Sequence, residues 1–319
     1  MNQSVYTSLQ QLVNRIIPLS GFIPETGLFN GKTGISILLF YYAGYTQDDE
    51  LRDYAKYLIN ETCDNLAGTA YIDFADGLMG LGWGVNRLIA QKYVDGDSDE
   101  ILADIDKLLW NETESITVES HLMADAGLYM LARKSTGKNT DLWNRRLSGW
   151  LDSIDSLIDR HDIIRQARFL IWVIYCFTVY LKLELFVEKI NELLSKLLVH
   201  IEFVYNQLSG FSEKYFLYHL CSCMEQSNAL SFLREPFPVS LWQPALVDIN
   251  RFYLYKLVFS ELITQTPELF HKKICSIVSD HARMNELLSL LNPENAGLEN
   301  FASGLAWSLL QYNMENDSF

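Results

Sequence analysis

Two aspartates stand at the start of a glycine-rich stretch, where their side chains could carry out acid–base chemistry. Asp73 and Asp76 lie three residues apart, and His121 and Asp125 lie in the first part of a later predicted helix. Paired carboxylates beside a cavity are the catalytic groups of glycoside hydrolysis. These four residues are therefore candidate catalytic groups. We favour the structural alternative, in which Asp76 caps a helix and Asp73 caps a turn.

A histidine and two cysteines form a candidate metal site. His219, Cys221 and Cys223 lie close together, and zinc accepts all three as ligands. On a helix, however, Cys221 points roughly 160–200° away from the face that His219 and Cys223 share. One ion cannot then contact all three residues. We favour two buried thiols and a hydrogen-bonded histidine, and we expect no metal and no cofactor.

An acidic loop follows the glycine-rich stretch. Asp95, Asp97 and Asp99 have the first ligand spacings of an EF-hand calcium loop. The sixth position of that motif is normally glycine and is Glu100 here, and the twelfth is Asp106 rather than glutamate. A solvated turn that caps the next helix is therefore the better interpretation.

Glycines position the first of these candidate groups. Residues 73–84 run Asp-Phe-Ala-Asp-Gly-Leu-Met-Gly-Leu-Gly-Trp-Gly, and apolar residues at helical spacing predict a helix over 77–92. Each glycine inside a helix costs about 1 kcal/mol relative to alanine. The glycines therefore indicate close backbone approach, either by a neighbouring helix or by a ligand.

The glycine-rich stretch recurs along the chain. Residues 27–35 run Gly-Leu-Phe-Asn-Gly-Lys-Thr-Gly-Ile, and residues 297–307 run Gly-Leu-Glu-Asn-Phe-Ala-Ser-Gly-Leu-Ala-Trp. A degenerate copy occupies 125–133. The spacing of 46 and 47 residues between equivalent glycines suits one helical hairpin per repeat. Those glycines are Gly34, Gly80 and Gly127.

The repeats predict one set of cavity-lining residues. Aligning the copies places Asn30, Asp76 and Ser303 in one column, and all three are preferred N-cap types. We expect them to cap helices whose N-termini face a common cavity and suit carboxylates or carbonyls. Lys32, Trp83 and Arg87 would line the same cavity, although such residues are more often rim charges or packed aromatics. The full predicted lining is Asn30, Lys32, Asp76, Trp83, Arg87 and Ser303.

The motifs at 27–35 and 73–84 resemble the repeat of the lanthionine synthetase C-like (LanC-like) family. The resemblance covers residues 20–135 and recurs at 297–310. It implies an all-α fold, an α/α toroid of six or seven helical hairpins that forms a single domain over 1–319. Inner helices would ring a central cavity. Active members bind zinc and add cysteine thiols to dehydrated serine or threonine in a precursor peptide.

This sequence departs from the family pattern at the zinc ligands. The resemblance implies a cysteine in one late repeat and an adjacent Cys-His pair in the next, but no adjacent Cys-His occurs. The leading hypothesis is a zinc-free, non-cyclising member that binds a peptide or protein partner of a peptide-maturation system. Two alternatives stay open. One is an active lanthipeptide cyclase-type enzyme with an unrecognised metal site, and the other is a carbohydrate-active toroid that uses aspartate pairs.

Charge and composition restrict the classes of partner. The net charge of −15 argues against nucleic acid, which needs basic patches. The most apolar run, 169–181, is shorter than the roughly 20 residues of a membrane span, and no secretory signal is visible. Five irregularly spaced cysteines make no disulfide framework. We therefore expect a cytoplasmic protein without a membrane span.

Hydrophobic spacing predicts about a dozen helices, which would alternate between an inner and an outer ring. We expect the first helix to end at Pro18, and we expect 32–45, 77–92, 121–134 and 301–312 on the inner ring. The other predicted helices are 9–17, 51–66, 101–109, 147–158, 163–181, 186–201, 215–223, 247–262 and 270–289.

Overall fold

A computed structural model describes residues 3–65, 71–110, 116–224, 229–238, 246–260, 262, 266–290 and 301–316. Over these ranges the regular structure is helical, and the extended residues form one isolated antiparallel bridge, between Trp110 and Ile116. The all-α class is confirmed. Residues 297–300, which begin the last glycine-rich copy, lie outside the described ranges.

The chain divides into two compact units, a first unit of 1–95 with 239–319 and a second unit of 96–238. A single toroid domain over 1–319 stays a prediction. In chain order the α-helices are α1 (Gln3–Ser20), α2 (Lys32–Thr46), α3 (Asp49–Asp64), α4 (Leu78–Ala90), α5 (Ser98–Ile101), α6 (Ala103–Leu109), α7 (Met123–Thr136), α8 (Thr140–Leu157), α9 (His161–Ile164), α10 (Ala167–Lys182), α11 (Val187–Gln207), α12 (Phe211–Ser222), α13 (Leu246–Val258), α14 (Glu268–Val278), α15 (His281–Ser289) and α16 (Phe301–Asn316).

Several predicted helix boundaries differ from the structure, those at Pro18, within 163–181 and within 270–289 among them. Pro18 lies inside α1, which continues to Ser20, because a proline near a helix end interrupts little of the hydrogen bonding beyond it. The segment 163–181 begins in the short helix α9 and continues in α10. The segment 270–289 is also two helices, because the Asp280 carboxylate accepts from the backbone N–H of Arg283 and starts α15.

The first unit is built around α2, whose residues Thr33–Ala43 are buried on every side. Helix α2 packs against α3, α4 and α16, and α16 also packs against α1 and α13. The indole N–H of Trp307 on α16 donates to the carbonyl of Tyr253 on α13 at 3.1 Å. The neighbouring helices α13, α16, α2 and α4 therefore form one continuous row in this unit.

The turns that precede α2 and α4 interlock through their backbones. Amide groups in 26–30 donate to carbonyl oxygens in 74–76, so one glycine-rich copy is hydrogen-bonded to the next. Helix α4 fits against this junction only because position 80 has no side chain. A Cβ at Gly80 would overlap the Phe74 carbonyl and lie 2.6 Å from the Leu28 nitrogen. The predicted close backbone approach is confirmed. The central pairs are Gly27 N to Asp76 O (3.0 Å), Leu28 N to Phe74 O (3.3 Å) and Phe29 N to Ala75 O (2.8 Å).

The second unit is built around α10, which packs against α7, α11 and α12. Helix α7 also packs on α8, and Gly127, the glycine of the degenerate repeat copy, faces α8 rather than a backbone turn. A Cβ at Gly127 would lie 2.5 Å from an atom of the Trp150 ring. That ring is fixed by its own N–H, which donates to the Met123 carbonyl at 2.7 Å. The glycine therefore accommodates a side chain rather than a backbone.

A buried arginine joins the acidic loop to α7 in the second unit. The Arg133 guanidinium donates at 2.9 Å to both Asp99 and Asp106, and Tyr129 donates to Asp106 at 2.7 Å. Burial opposes the charge of Arg133, but the bonds to Asp106 outweigh it and raise the pKa of this arginine. Asp97 caps α5 by accepting from the Asp99 amide. The predicted helix-capping turn is confirmed, and these carboxylates are engaged by protein groups.

Replacing Gly80 with alanine should destabilise the protein by about 1–3 kcal/mol or more. The added methyl group meets backbone atoms that cannot rotate away, and this exceeds the roughly 1 kcal/mol that alanine gains in a helix. Gly44→Ala in α2 is the matched control, since its Cβ would lie 3.7 Å from the Tyr93 hydroxyl, an ordinary contact. Urea unfolding measures both. A Gly80→Ala protein as stable as the control would contradict the close approach.

Candidate functional site

The residues of the predicted cap column bond to each other rather than to helix termini. Asn30 donates its side-chain N–H to the Asp76 carboxylate at 2.7 Å, across 46 residues of sequence. The N-cap positions of α2 and α4 are Gly31 and Gly77, which offer no side-chain cap. Ser303 lies inside α16 and is buried. The prediction that Asn30, Asp76 and Ser303 cap helices was therefore wrong.

Backbone carbonyls take the place of the missing caps. The first amides of a helix have no partner within it, and here the preceding segments supply one. These bonds occupy the amides that were expected to attract carboxylates or carbonyls in a cavity. Backbone carbonyls of the first unit therefore occupy one first-turn amide of α2 and two of α4. The bonds are Lys32 N to Glu25 O (3.0 Å), Leu78 N to Tyr71 O (3.2 Å) and Met79 N to Ile72 O (3.1 Å).

The candidate carboxylates have structural partners. The Asp73 carboxylate accepts from the backbone N–H of Asp76 at 2.8 Å, which confirms that Asp73 caps a turn. Asp76 is held by Asn30, as described above. His121 lies in a 3₁₀ turn of the second unit, where its exposed ring approaches Glu119 at 3.3 Å. Asp125 is buried in the first turn of α7.

Trp83 and Arg87 come together in the first unit, whereas Lys32 has another partner. The Lys32 ammonium lies 3.3 Å from the Glu61 carboxylate on α3. The Arg87 guanidinium lies 5.3 Å from the centre of the buried Trp83 ring. It also donates two N–H groups to the Tyr41 hydroxyl on α2, from Nε at 3.3 Å and from Nη2 at 3.2 Å. The Arg87 side chain is therefore held by two neighbouring helices.

Sequence reasoning missed the Tyr41 part of this arrangement. Tyr41 donates its hydroxyl to the Gln91 side-chain oxygen at 2.7 Å, and its ring meets Trp307 edge to face at 5.4 Å. The available signal was the separation of 46 residues between Tyr41 and Arg87, the same as that between Asn30 and Asp76. The repeat spacing therefore also brings side chains one turn or more beyond the motif together.

The residues of the candidate metal site occupy different environments. Cys221 is buried, and burial raises the pKa of its thiol. Cys223 is exposed just beyond α12 and donates to the His219 carbonyl at 3.4 Å, so the expectation of two buried thiols was wrong for Cys223. Burial lowers the pKa of His219, whose ring packs on Tyr215. Within the described residues, no three His, Cys, Asp or Glu side chains are placed to hold a metal ion.

A second polar cluster in the first unit, the Glu315 cluster, was also missed. The Glu315 carboxylate on α16 contacts Lys256 on α13 at 2.5 Å and the His271 ring on α14 at 3.2 Å. The Thr266 hydroxyl donates to it at 3.1 Å. Burial opposes ionisation of Glu315, but the bonds from His271, Lys256 and Thr266 outweigh it and lower the pKa of this carboxyl. Three helices therefore depend on one ionised side chain.

Comparisons with known proteins add no relative. Models of protein families, curated proteins and solved structures show no match to this chain. In the part of the chain that the structure describes, no helix is both long and apolar enough to cross a membrane.

The contact between Asn30 and Asp76 should appear as a coupling energy. Alanine at either position should destabilise the protein, and the double variant should lose less than the sum, with a coupling of about 1 kcal/mol or more. The same cycle with Asn30 and the exposed Asp49 is the control and should be additive. Urea unfolding of the variants measures both cycles. Additive losses for Asn30 and Asp76 would show that the two residues act independently.

The Glu315 cluster should make stability depend on pH in acid. A carboxyl with a depressed pKa in the folded protein stabilises it above its ordinary pKa of 4.5, and the contribution is lost as pH falls through the lower folded value. Wild type should therefore exceed Glu315→Gln in urea midpoint at neutral pH, and the gap should close below about pH 4.5. The exposed Glu286→Gln is the control. A gap that stays constant down to about pH 3 would contradict this role.

Proposed function

We propose that this protein is a lanthionine synthetase C-like α/α toroid protein that binds a peptide or protein partner of a peptide-maturation system without cyclising it. One observation carries the assignment. Two successive copies of the glycine motif are hydrogen-bonded to each other, and equivalent residues of the two copies, Asn30 and Asp76, are paired. This is the behaviour of structural repeats, in which each copy is completed by the next.

The helix packing inside each unit supports the toroid. In the first unit α13, α16, α2 and α4 are successive neighbours, and in the second unit α7, α10 and α12 are successive neighbours. Four helices associated with the glycine motifs (α2, α4, α7 and α16) belong to these two rows, together with α10, α12 and α13. A toroid needs such rows as its inner ring, with the amphipathic helices outside. We propose that 32–45, 77–92, 121–134 and 301–312 belong to that ring.

The ligand set of the chain supports a protein without zinc chemistry. A catalytic zinc site needs three nitrogen, sulfur or oxygen ligands and one open position. The adjacent Cys-His of active relatives has no counterpart in this sequence, and the thiol of Cys221 is held protonated by burial. A thiolate nucleophile forms when a metal or a nearby cation lowers the thiol pKa. Burial here acts in the opposite direction.

Elemental analysis together with a cyclisation assay tests the proposal. The purified protein should contain less than about 0.1 zinc per chain, because the sequence lacks the adjacent Cys-His and the described residues offer no three-ligand set. A dehydrated, cysteine-containing peptide should bind, as measured by calorimetry, and should keep its free thiols. Thioether formation does not change the peptide mass, so thiols are counted by alkylation and mass spectrometry. An unmodified serine-containing peptide of the same sequence is the control.

Each other result identifies an alternative. Stoichiometric zinc, or loss of peptide thiols that depends on Cys221 or Cys223, would show a cyclase-type enzyme. Cleavage of an oligosaccharide panel that is lost in Asp73→Asn or Asp76→Asn would show a carbohydrate-active toroid. Absence of any peptide binding would overturn the partner-binding function while leaving the proposed fold untouched.

A further inference from the structure

The Arg87 guanidinium is half-buried and has no carboxylate partner among the residues that the structure describes. Its contacts there are the Tyr41 hydroxyl and the Trp83 ring, both uncharged. Taking a cation away from water is unfavourable unless an anion compensates. The ring of Trp83 compensates only in part, since a cation–π contact contributes about 0.5–2 kcal/mol.

The more strongly buried cations Arg133 and Lys256 are compensated by acids. Arg133 lies between Asp99 and Asp106, and Lys256 lies against Glu315. The chain carries 40 acidic residues against 25 basic ones, so partners are abundant.

Among the described residues, Arg87 shares the lack of an acid with the half-buried Lys134 and Lys214, which donate to the Asn144 side chain and to the Leu208 carbonyl. Arg87 differs from these two lysines because its planar guanidinium is oriented by the Tyr41 hydroxyl and the Trp83 ring.

The contacts of Arg87 also define which edge is available. A guanidinium has five N–H groups, two of them pointing along the edge formed by Nε and Nη2. Both atoms of that edge donate to Tyr41. The end edge, formed by Nη1 and Nη2, keeps two parallel N–H groups. Two parallel N–H groups match the two oxygens of a carboxylate, which is the geometry of a bidentate pair.

The surroundings of Arg87 are built to hold this orientation. Tyr41 is fixed by Gln91 and packs against the Tyr93 and Trp307 rings, with centroids 5.4 Å away in each case. The two hydrogen bonds and the Trp83 ring restrict the rotation of the guanidinium. A donor that is already oriented loses less conformational entropy when it binds.

We propose that Arg87, held by Tyr41 and Trp83, is a carboxylate-binding site of this protein. The site takes one carboxylate of a peptide, either its C-terminus or an acidic side chain. This inference deepens the proposed peptide-binding function, on which it rests for the nature of the ligand. It places recognition at the side of α4 that faces α2, rather than at the helix N-termini.

Titration with small carboxylates tests the site directly. The probes are N-acetylglycine for a peptide C-terminus, N-acetylaspartate α-amide for an acidic side chain, and N-acetylglycinamide as the uncharged control. The readout is the Nε–H signal of Arg87 in protein labelled with ¹⁵N-arginine, assigned by its loss in Arg87→Lys. We expect saturable shifts with at least one carboxylate and none with the amide.

Variants separate the oriented arginine from charge alone. Arg87→Gln should weaken binding of the responding probe by about 10- to 100-fold, and Arg87→Lys should restore only part of it because lysine lacks the paired donors. Tyr41→Phe keeps the charge and removes the orienting hydroxyl, so it should weaken binding less than Arg87→Gln. Arg15→Gln, at an exposed position of α1, removes the same charge and should bind as wild type does. Circular dichroism confirms folding of each variant.

Other outcomes would overturn the inference. Equal binding by wild type and Arg87→Gln, or equal loss in Arg15→Gln, would show that the site is elsewhere or that net charge alone acts. Shifts with inorganic phosphate but with neither carboxylate would show a phosphate site instead. If a peptide partner binds equally well to Arg87→Gln, this inference fails while the proposed function stands. If the carboxylates bind at Arg87 and no peptide binds, the carboxylate site stands and the proposed peptide-binding function fails.

Discussion

The first unit depends on the backbone contact between 26–30 and 74–76. These hydrogen bonds join two turns that are distant in sequence, and they bring α2 and α4 side by side. Backbone atoms have fixed positions, so the contact permits only glycine at Gly80 and sets the distance between the helices. The pairing of Asn30 with Asp76 and that of Tyr41 with Arg87 both follow from the same register. Each pair is separated by the same 46 residues.

The repeat and the helices could be predicted from the sequence because they depend on local spacing. The glycines at 77–84 indicated close backbone approach, and the structure shows it at Gly80, beside the backbone of Phe74 and Leu28. What failed was the assignment of polar side chains next to those glycines. Asn30 and Asp76 have the composition of N-caps, but a cap needs free helix amides, and here carbonyls of the preceding segments already occupy them. Every residue type has a backbone carbonyl. The sequence therefore does not indicate which carbonyl will accept from a helix amide in place of a side-chain cap.

The buried ion pairs show a second limit of sequence reasoning. Arg133 and Asp106 lie 27 residues apart and no motif pairs them, yet their hydrogen bond joins two helices of the second unit. Glu315 does the same for α13, α14 and α16 in the first unit. Removing one member of such a pair leaves a buried charge, so these residues are as restrictive as the apolar core. Only the three-dimensional partner distinguishes them from solvated charges on a helix.

The two ways in which the repeat glycines are used affect how this chain tolerates sequence change. Gly80 faces a carbonyl oxygen, which every amino acid possesses, so no second substitution can make room for a side chain there. Gly127 faces the Trp150 ring, and a smaller residue at 150 would make that room. Substitution is therefore possible at Gly127 through a paired change and is blocked at Gly80. A repeat array of this kind keeps its glycines where they contact backbone atoms and can lose them where they contact side chains.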